Sequence, residues 1–262
     1  MPSENLVRAA HERGITTLTL DSPGNRNALS SALVGEVADR LREAEKDRDV
    51  RAVLLAHTGN TFCAGADLRD PPDPDAVVGL LRQIVALRKP VVARVDGHVR
   101  AGGLGLLGAC DISVASEAAT FAFTEVRIGV APAVISLPLL PRLDPRAVAR
   151  YYLTGERFDA AEAARIGLVT AAATSAATAT VAAGAVAGAD VDEVLAPLLA
   201  GLRKASPQGL AETKRLLTVK VLEAFDRDAE SLTALSARLF GSAQAREGMT
   251  AFLERRDPAW VL

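Results

Sequence analysis

Two short stretches of small residues in the first half of the chain could expose backbone N–H groups to a ligand. One is TFCAGADL (61–68) and the other is AGGLGLLGACD (101–111). Small residues let another molecule approach the main chain, and two converging N–H groups form an oxyanion hole, which stabilises charge that develops on a carbonyl oxygen. The second stretch also begins a predicted helix, whose N-terminus favours negative charge. Gly102 and Gly103 therefore indicate close contact with a carbonyl group.

The same stretches also have a structural interpretation, which spacing alone favours: tight turns in which only small residues fit. Neither is a phosphate loop, because the chain has no GxxxxGK[ST] and GGLG lacks the spacing of a dinucleotide fingerprint. Cys63 lies beside the first turn, but no histidine follows it in a nucleophile pattern, so it is interpreted as a small hydrophobic residue. Glu125, taken alone, is interpreted as a salt-bridge residue.

The elements that must position these turns alternate between strand and helix patterns. Strands are predicted over residues 14–20, 51–59, 89–97 and 111–116. Helices are predicted after Ser30 or Ser31 and over residues 76–88, 101–110 and 145–167. The first of these helices has an apolar stripe formed by Leu33, Val34, Val37, Leu41 and Ala44. Repetition of strand, glycine turn and helix predicts an α/β body, with DPPDPD (70–75) as a surface loop.

Strand patterns end near residue 190, and successive amphipathic helices follow. Their sequences are VDEVLAPLLAGLRKAS, GLAETKRLLTVKVLEAF and DAESLTALSARLFGS. We therefore divide the chain into an α/β core over 1–195 and an all-helical region over 196–262. The uncharged stretch 166–189 is long enough to span a membrane, but Ala, Thr, Gly and Ser dominate it. A soluble connection and helix are predicted there.

Composition narrows the classes of function. With 262 residues, 49% of them hydrophobic, the chain can bury a sizeable core. A formal net charge of -2 and an aromatic content of 4% give no footprint for nucleic acid or for an anionic membrane. Two cysteines make a disulfide framework implausible, and MPSENLVRAAHERG lacks the apolar segment of a signal peptide. A cytoplasmic address is expected.

Eight blocks in one order resemble the enoyl-CoA hydratase/isomerase, or crotonase, family, and together they cover nearly the whole chain. They are NRNAL (25–29), FCAGADL (62–68), KPVVARVDG (89–97), AGG with CDI (101–112), FAFTEVRIGVAP (121–132), LTGERFDAAEAARIGLV (153–169), SPQGLAETK (206–214) and REGMTAFLERR (246–256). The resemblance implies a crotonase-type spiral of ββα units followed by a C-terminal helical trimerisation region. It also implies a homotrimer or dimer of trimers, an acyl-CoA substrate and no metal or redox cofactor.

The resemblance assigns roles to individual residues. It places the two oxyanion donors at the backbone N–H groups of Ala66 and Gly102. Contacts with coenzyme A fall on Arg26, Ala64, Asp67, Leu68 and Arg255. The last of these matches a basic residue that approaches the CoA phosphates, and a cation suits such groups.

Hydratases of this family generally use two glutamates, and the matching positions here are Gly105 and Glu125. Hydration needs a water activated at C3 and a proton at C2, whereas a double-bond shift needs one base that reaches C2 and C4. We therefore expect Glu125 to be the single general acid/base of a 3,2-enoyl-CoA isomerase or a one-glutamate hydratase in fatty-acid or related acyl-CoA metabolism. VAPAVIS (130–136) lacks the water-placing glycines of hydratases, although the N–H of Ala133 or Val134 could hold a water.

Other hypotheses stay open at this point. Altered glutamates are compatible with C–C cleavage, decarboxylation, or a catalytically silent protein that binds acyl-CoA or serves as a scaffold. His98 is interpreted as a packed or surface residue. Arg100 is more unusual, because a buried charge would require a partner. Asp111 is expected to order the turn between helix and strand.

Overall fold

The computed structural model describes residues 5–174, 185–187 and 190–262. The strands are β1 Val7–Glu12, β2 Ile15–Leu20, β3 Ala52–His57, β4 Thr61–Cys63, β5 Val91–Val95, β6 His98–Arg100, β7 Ile112–Ser116, β8 Thr120–Ala122, β9 Phe158–Asp159, β10 Ala171–Thr174 and β11 Ala185–Ala187. The helices are α1 Ser31–Lys46, α2 Pro74–Ala86, α3 Gly102–Ala109, α4 Ser136–Leu139, α5 Pro145–Thr154, α6 Ala160–Arg165, α7 Val191–Lys204, α8 Pro207–Phe240 and α9 Ala243–Glu254.

The strands form two sheets that the chain visits alternately. The larger sheet has the order β1-β2-β3-β5-β7-β10-β11, and the smaller has the order β4-β6-β8-β9. The chain passes from β3 to β4 and then to α2, and from β5 to β6 and then to α3. Each repeat therefore places one strand in each sheet before a helix, which is the expected spiral of ββα units. Parallel pairing of β4, β6 and β8 brings the ends of these strands to one edge.

The first helix illustrates how the sequence pattern specifies an element. Ser30 caps α1, its side chain accepting a hydrogen bond from the Leu33 N–H at 3.2 Å. The buried side chains of α1 are the predicted stripe: Leu33, Val34, Val37, Leu41 and Ala44. This stripe joins the main hydrophobic core, which also includes residues of β2, β3, α2 and α3. The predicted strands over 14–20, 51–59, 89–97 and 111–116 are confirmed as β2, β3, β5 and β7.

Two helix predictions were wrong in extent. The single helix expected over 145–167 is interrupted, because Gly155 ends α5 at a φ of 62° and β9 then pairs with β8. Two helices were expected between residues 209 and 242, but α8 is one helix of 34 residues. No proline or glycine interrupts the helix there, so its hydrogen bonds continue.

Other parts of the chain also differ from expectation. Strand β1 was not predicted, because five of its six residues are exposed and show no alternation. The described parts of the stretch 166–189 are strands β10 and β11 rather than a helix; residues 175–184 and 188–189 lie outside the described residues. The predicted boundary at residue 195 falls inside α7 and stays a prediction. Within the described part of the chain, no helix is both long and apolar enough to cross a membrane.

One buried ion pair attaches the helical region to the core. Lys214 of α8 lies 2.7 Å from the Asp111 carboxylate, and its ammonium also donates to the carbonyls of Ile84 and Lys89. Asp111 accepts a further hydrogen bond from the Val91 N–H at 2.7 Å. The expectation that Asp111 orders the turn before β7 agrees with this contact. Its pairing with a lysine about a hundred residues away could not be seen locally.

Candidate active site

The first predicted turn is held against the loop before α1. The Leu29 N–H donates to the Gly65 carbonyl at 2.7 Å, and the Asp67 N–H donates to the Leu29 carbonyl at 2.9 Å. These two bonds define a parallel bridge between Leu29 and Ala66. In such a bridge the middle residue takes no part in the bonding, so the N–H of Ala66 points away from Leu29. That N–H is therefore left available on the opposite side.

The second turn brings another N–H beside the first. Ala101 has φ 45° and ψ -123°, an unusual conformation for a residue with a side chain, and Gly102 is the first residue of α3. A Cβ at Gly102 would lie only 3.5 Å from the Ala66 nitrogen, and one at Gly65 would lie 3.3 Å from the Gly102 nitrogen. The two nitrogens are thus neighbours. Two adjacent N–H groups, one of them at a helix N-terminus, are suited to holding an oxyanion.

Close packing explains the second glycine of this turn. A Cβ at Gly103 would lie 2.7 Å from the Cys63 carbonyl oxygen and 2.8 Å from the Cys63 Cβ. Any larger residue would push α3 away from β4 and separate the two turns. The structural interpretation therefore accounts for Gly103, whereas the environment of Gly102 fits the ligand-binding interpretation.

Glu125 is the buried carboxylate of this region. It is the first residue of a 3₁₀ turn, Glu125–Ile128, which follows β8, and its exposed fraction is 7%. Burial raises the pKa of Glu125 from 4.5 to about 7. Its Oε2 atom has no hydrogen-bond partner among the described residues. A buried carboxyl without a partner is costly to ionise, and such perturbed groups are concentrated at functional sites.

The position that matches the missing glutamate is closed by another side chain. A Cβ at Gly105 would lie 2.5 Å from Cγ2 and 2.9 Å from Cβ of Ile135, just before α4. Ile135 is itself buried, with an exposed fraction of 2%. The nearby N–H of Ala133, which was a candidate for holding a water, donates to the Ala131 carbonyl at 2.7 Å. This wall of the site is therefore apolar, and one of its two candidate water-binding N–H groups is already used.

The turn of Glu125 is supported from the C-terminal side by helix α9. Gly129 ends the turn at a φ of 77°, and a Cβ there would lie 2.6 Å from the Gln244 carbonyl carbon. A Cβ at Gly248 would lie 2.5 Å from the Ile128 carbonyl carbon. Helix and turn thus meet backbone to backbone at both glycines.

The residues expected to contact coenzyme A are only partly brought together. The Ala64 N–H donates to the Arg26 carbonyl at 3.2 Å, and Asn25 Nδ2 donates to Asp67 Oδ2 at 3.0 Å. The N–H of Arg69 lowers the pKa of Asp67. Leu68 is half-buried in the same loop. Arg255 lies at the end of α9 and takes no part in the hydrogen bonds that join these loops.

His98 and Arg100 lie on one face of the small sheet and share Thr120. Arg100 donates to the carbonyls of Val99 and Thr120 and, at 2.7 Å, to the Thr120 hydroxyl, which lies 3.0 Å from His98 Nδ1. Burial, followed by the charge of Arg157, lowers the pKa of Arg100 to about 10. Burial also lowers the pKa of His98, with a further contribution from nearby arginines. The partner expected for Arg100 is thus a set of oxygens, and no described carboxylate forms an ion pair with it.

The remaining histidine and cysteine candidates have structural environments. His57 Nε2 accepts the Asp96 N–H at 3.0 Å, and its ring contacts Phe62. Burial raises the pKa of the Cys63 thiol to about 12, so it stays protonated and is a poor nucleophile. Three residues that line this region were missed: Ile135, Ser136 and Tyr152. No local signal marks them, because their contacts depend on how α4 and α5 pack near Glu125.

Comparisons with known proteins agree with this architecture. The family model described as enoyl-CoA hydratase/isomerase matches residues 10–261. Human enoyl-CoA hydratase domain-containing protein 2, mitochondrial, is 33% identical, with 99% of this chain and 90% of that protein covered. The crystal structure of an enoyl-CoA hydratase from Mycobacterium avium superposes with a TM-score of 0.87 at 52% identity, covering 98% of this chain and all of that one.

A second solved structure extends the likeness to lower identity. Carnitinyl-CoA hydratase from Mycobacterium avium superposes with a TM-score of 0.83 at 27% identity, covering 98% of this chain and 99% of that one. The alternating sheets, the full-length family match and these superpositions agree. The chain therefore belongs to the enoyl-CoA hydratase/isomerase family and has the crotonase fold.

Proposed function

We propose that the protein catalyses proton transfer in an enoyl-CoA thioester, shifting a double bond between the 3,4 and 2,3 positions with Glu125 as the single acid/base. The observation that carries this proposal is the combination of a buried Glu125, whose Oε2 atom has no partner among the described residues, with a closed position 105. One carboxyl group is available and the space for a second is filled by Ile135. A double-bond shift needs one such group, whereas the usual hydration needs two.

The reaction can be written from the residues present. The thioester oxygen binds the N–H groups of Ala66 and Gly102, and the Glu125 carboxylate removes a proton from C2 of a 3-enoyl group. The electron pair moves into a dienolate whose negative charge lies partly on the thioester oxygen, where the two N–H groups stabilise it. Protonated Glu125 then returns the proton at C4, which leaves a 2-enoyl thioester. A carboxyl with a pKa of about 7 is suited to both steps near neutral pH.

Hydration by one glutamate is the second candidate. The related Mycobacterium avium structure at 52% identity is named as an enoyl-CoA hydratase. In that reaction, Glu125 would take a proton from water as its oxygen adds to C3, and the proton would then reach C2. The position that would carry the second carboxyl, residue 105, is closed by Ile135, so this candidate ranks below the double-bond shift.

The remaining expectations extend the proposal. The coenzyme A moiety would contact Arg26, Ala64, Asp67, Leu68 and Arg255, and the reaction as written needs no metal or redox cofactor. Apolar side chains exposed on α8 and α9, as in a surface awaiting other subunits, support a homotrimer or dimer of trimers; they are Leu216, Leu217, Val219, Phe252 and Leu253. A cytoplasmic address and a role in fatty-acid or related metabolism remain predictions.

The test is a paired assay of the purified protein with trans-2-enoyl-CoA and trans-3-enoyl-CoA of several chain lengths. Interconversion without 3-hydroxyacyl-CoA is expected, and Glu125→Gln should slow it by about 10²- to 10⁴-fold. Glu43→Gln, at an exposed residue of α1 that pairs with Arg40, is the matched control and should leave the rate unchanged.

Other outcomes would redirect the proposal. Net formation of 3-hydroxyacyl-CoA would establish hydration instead. Binding of acyl-CoA without turnover would favour a silent binding or scaffold protein, or an enolate reaction such as C–C cleavage or decarboxylation.

A further inference from the structure

Tyr152 is a partly buried phenol near Glu125 that the reaction above does not use. It lies on α5, and its ring centroid is 4.5 Å from that of Phe123. Phe123 precedes Glu125 by two residues, and the charge of Glu125 reaches the phenol, since it contributes to the raised pKa of Tyr152. The ring therefore packs beside the turn that bears the proposed base.

The hydroxyl of Tyr152 has a proton that no described residue holds well. Its oxygen lies 3.5 Å from Ser136 Oγ, at the long end of hydrogen-bond distances. Ser136 Oγ donates to the Pro132 carbonyl at 2.6 Å and, at the longer distance, toward the Tyr152 oxygen. The proton of the Tyr152 hydroxyl therefore has no acceptor among the described residues. Burial raises the pKa of Tyr152, so the phenol stays neutral and acts as a hydrogen-bond donor rather than a base.

The place of this hydroxyl in the site follows from a chain of contacts. Gly105 lies three residues after Gly102 on α3, about 4.5 Å along the helix axis. The side of Gly105 that would carry a Cβ contacts Ile135, and Ser136 follows Ile135 in the chain. The hydroxyl pair therefore lies near Ile135 and, through the ring contact with Phe123, near the turn of Glu125. A substrate whose thioester is held at Ala66 and Gly102 and whose C2 reaches Glu125 would bring its acyl chain close to these hydroxyls.

The neighbouring tyrosine shows that the long contact is not a general property of α5. The Tyr151 hydroxyl donates to Glu162 Oε1 at 2.7 Å, a full-strength hydrogen bond. Its ring packs on Phe158, with centroids 4.2 Å apart. The two adjacent tyrosines thus differ in whether the hydroxyl has a good acceptor. A donor that is partly shielded from water and has no protein acceptor is available to a ligand.

We propose that Tyr152 and Ser136 form a polar subsite that binds an oxygen on the acyl chain, so that the preferred substrates are oxygen-substituted acyl-CoA thioesters with a hydroxyl or carbonyl group. Tyr152 donates to the substrate oxygen, and Ser136 Oγ can accept from a substrate hydroxyl. This inference rests on the proposed function, because it uses the thioester position at Ala66 and Gly102.

The experiment measures binding rather than turnover. The affinities of hexanoyl-CoA and of its 4-, 5- and 6-hydroxy derivatives are compared by calorimetry for the wild type, Tyr152→Phe, Ser136→Ala and the control Tyr151→Phe. One hydrogen bond predicts that the best hydroxy derivative binds about 3- to 10-fold more tightly than hexanoyl-CoA. Tyr152→Phe should abolish this preference while leaving hexanoyl-CoA affinity unchanged. Ser136→Ala should reduce the preference, and Tyr151→Phe should retain it.

The outcomes separate the subsite from the proposed function. Equal affinity of wild type for all four ligands, or a preference that survives in Tyr152→Phe, would overturn the subsite alone. Failure of the wild type to bind hexanoyl-CoA at all would overturn the proposed function, and the subsite with it. Thermal melting of each variant shows whether the fold is retained, and Ser136→Ala serves as the second test if Tyr152→Phe is unstable.

Discussion

Two carboxylates of this protein are buried in different ways. Asp111 is bound by the Lys214 ammonium and by the Val91 N–H, both at 2.7 Å. Glu125 has an oxygen with no partner among the described residues. Burial raises the pKa of both carboxyls, but at Asp111 the charge of Lys214 opposes the shift. Asp111 therefore stays ionised in a fixed structure, whereas Glu125 is left able to gain and lose a proton.

The comparison separates stability from reactivity. A carboxylate that is fully paired holds two parts of the fold together, here the helix α8 and the strand β5. One that is left unpaired makes the fold less stable and gains a pKa near neutrality. The same side-chain chemistry thus serves two purposes, depending on whether a cation lies beside it.

The largest effect on stability is expected when Asp111 loses its cation and is left unpaired, as Glu125 is. Lys214→Met removes the cation and leaves a buried carboxylate unpaired, which should lower the free energy of unfolding by about 3–5 kcal/mol. Lys220→Met, at an exposed lysine on the same helix, should change it by less than about 0.5 kcal/mol. Urea unfolding measures both. Adding Asp111→Asn to Lys214→Met should recover part of the loss, and a loss of under about 1 kcal/mol for Lys214→Met alone would contradict the structural role.

A pH-dependent effect of up to about 3 kcal/mol is expected at Glu125. Below pH 4.5 the carboxyl is protonated in the folded and unfolded states alike. Between pH 4.5 and about 7 the unfolded chain ionises this carboxyl while the folded state keeps it protonated, so the wild type loses stability across that range. Above about pH 7 the folded state holds a buried charge and the loss is complete. Glu125→Gln lacks this loss and should be the more stable protein at pH 8.5, with little difference at pH 4.5.

Denaturant unfolding of both proteins at the two pH values checks this sign. Activity should change with pH in the opposite sense to stability. kcat/KM is expected to rise through about pH 7 as the carboxylate forms. A wild-type stability that rises over the same range would show that Glu125 acquires a partner in solution.

A smaller effect, about 1–3 kcal/mol, is expected from adding a carboxylate where the fold has no space. Gly105→Glu should destabilise the protein without creating hydratase activity, because Ile135 occupies that space. Gly105→Ala should be destabilising as well, since its Cβ meets the same atoms. Adding Ile135→Gly to Gly105→Glu should relieve the strain, and 3-hydroxyacyl-CoA formation should be measured in each variant. Hydratase activity of Gly105→Glu alone would contradict this prediction, because it would show that Ile135 moves to make space for the new carboxylate.

Local sequence patterns were sufficient for much of this architecture. The apolar stripe of α1 and the strands β2, β3, β5 and β7 could be predicted from the spacing of apolar residues. An element that buries one face must repeat apolar residues at its own period. The paired turns and Glu125 came from the family resemblance, since small residues after a strand do not by themselves distinguish an oxyanion hole from tight packing. The structure shows tight packing at Gly103, and at Gly102 it brings two backbone nitrogens close together, as the oxyanion hypothesis requires.

The features that sequence reasoning missed depend on distant contacts. The partner of Asp111 lies on α8, and the side chain that closes position 105 lies on the segment before α4. Tyr152 stands beside Tyr151 in the sequence, yet the Tyr151 hydroxyl donates to Glu162 whereas the Tyr152 oxygen accepts from Ser136. The break between α5 and α6 likewise reflects pairing of Phe158 with Phe121, which no local propensity encodes. Such contacts are set by packing between elements.

The contact between α9 and the turn of Glu125 has a mechanical consequence. At Gly129 and Gly248 main chain meets main chain, and no flexible side chain lies between them to absorb a displacement. A shift of α9 by a fraction of an ångström would therefore displace this 3₁₀ turn, which begins at Glu125. Because α9 and the turn of the proposed base are in direct contact, they are expected to move together. A subunit contact made through α9 would then also change the position of Glu125 relative to a substrate.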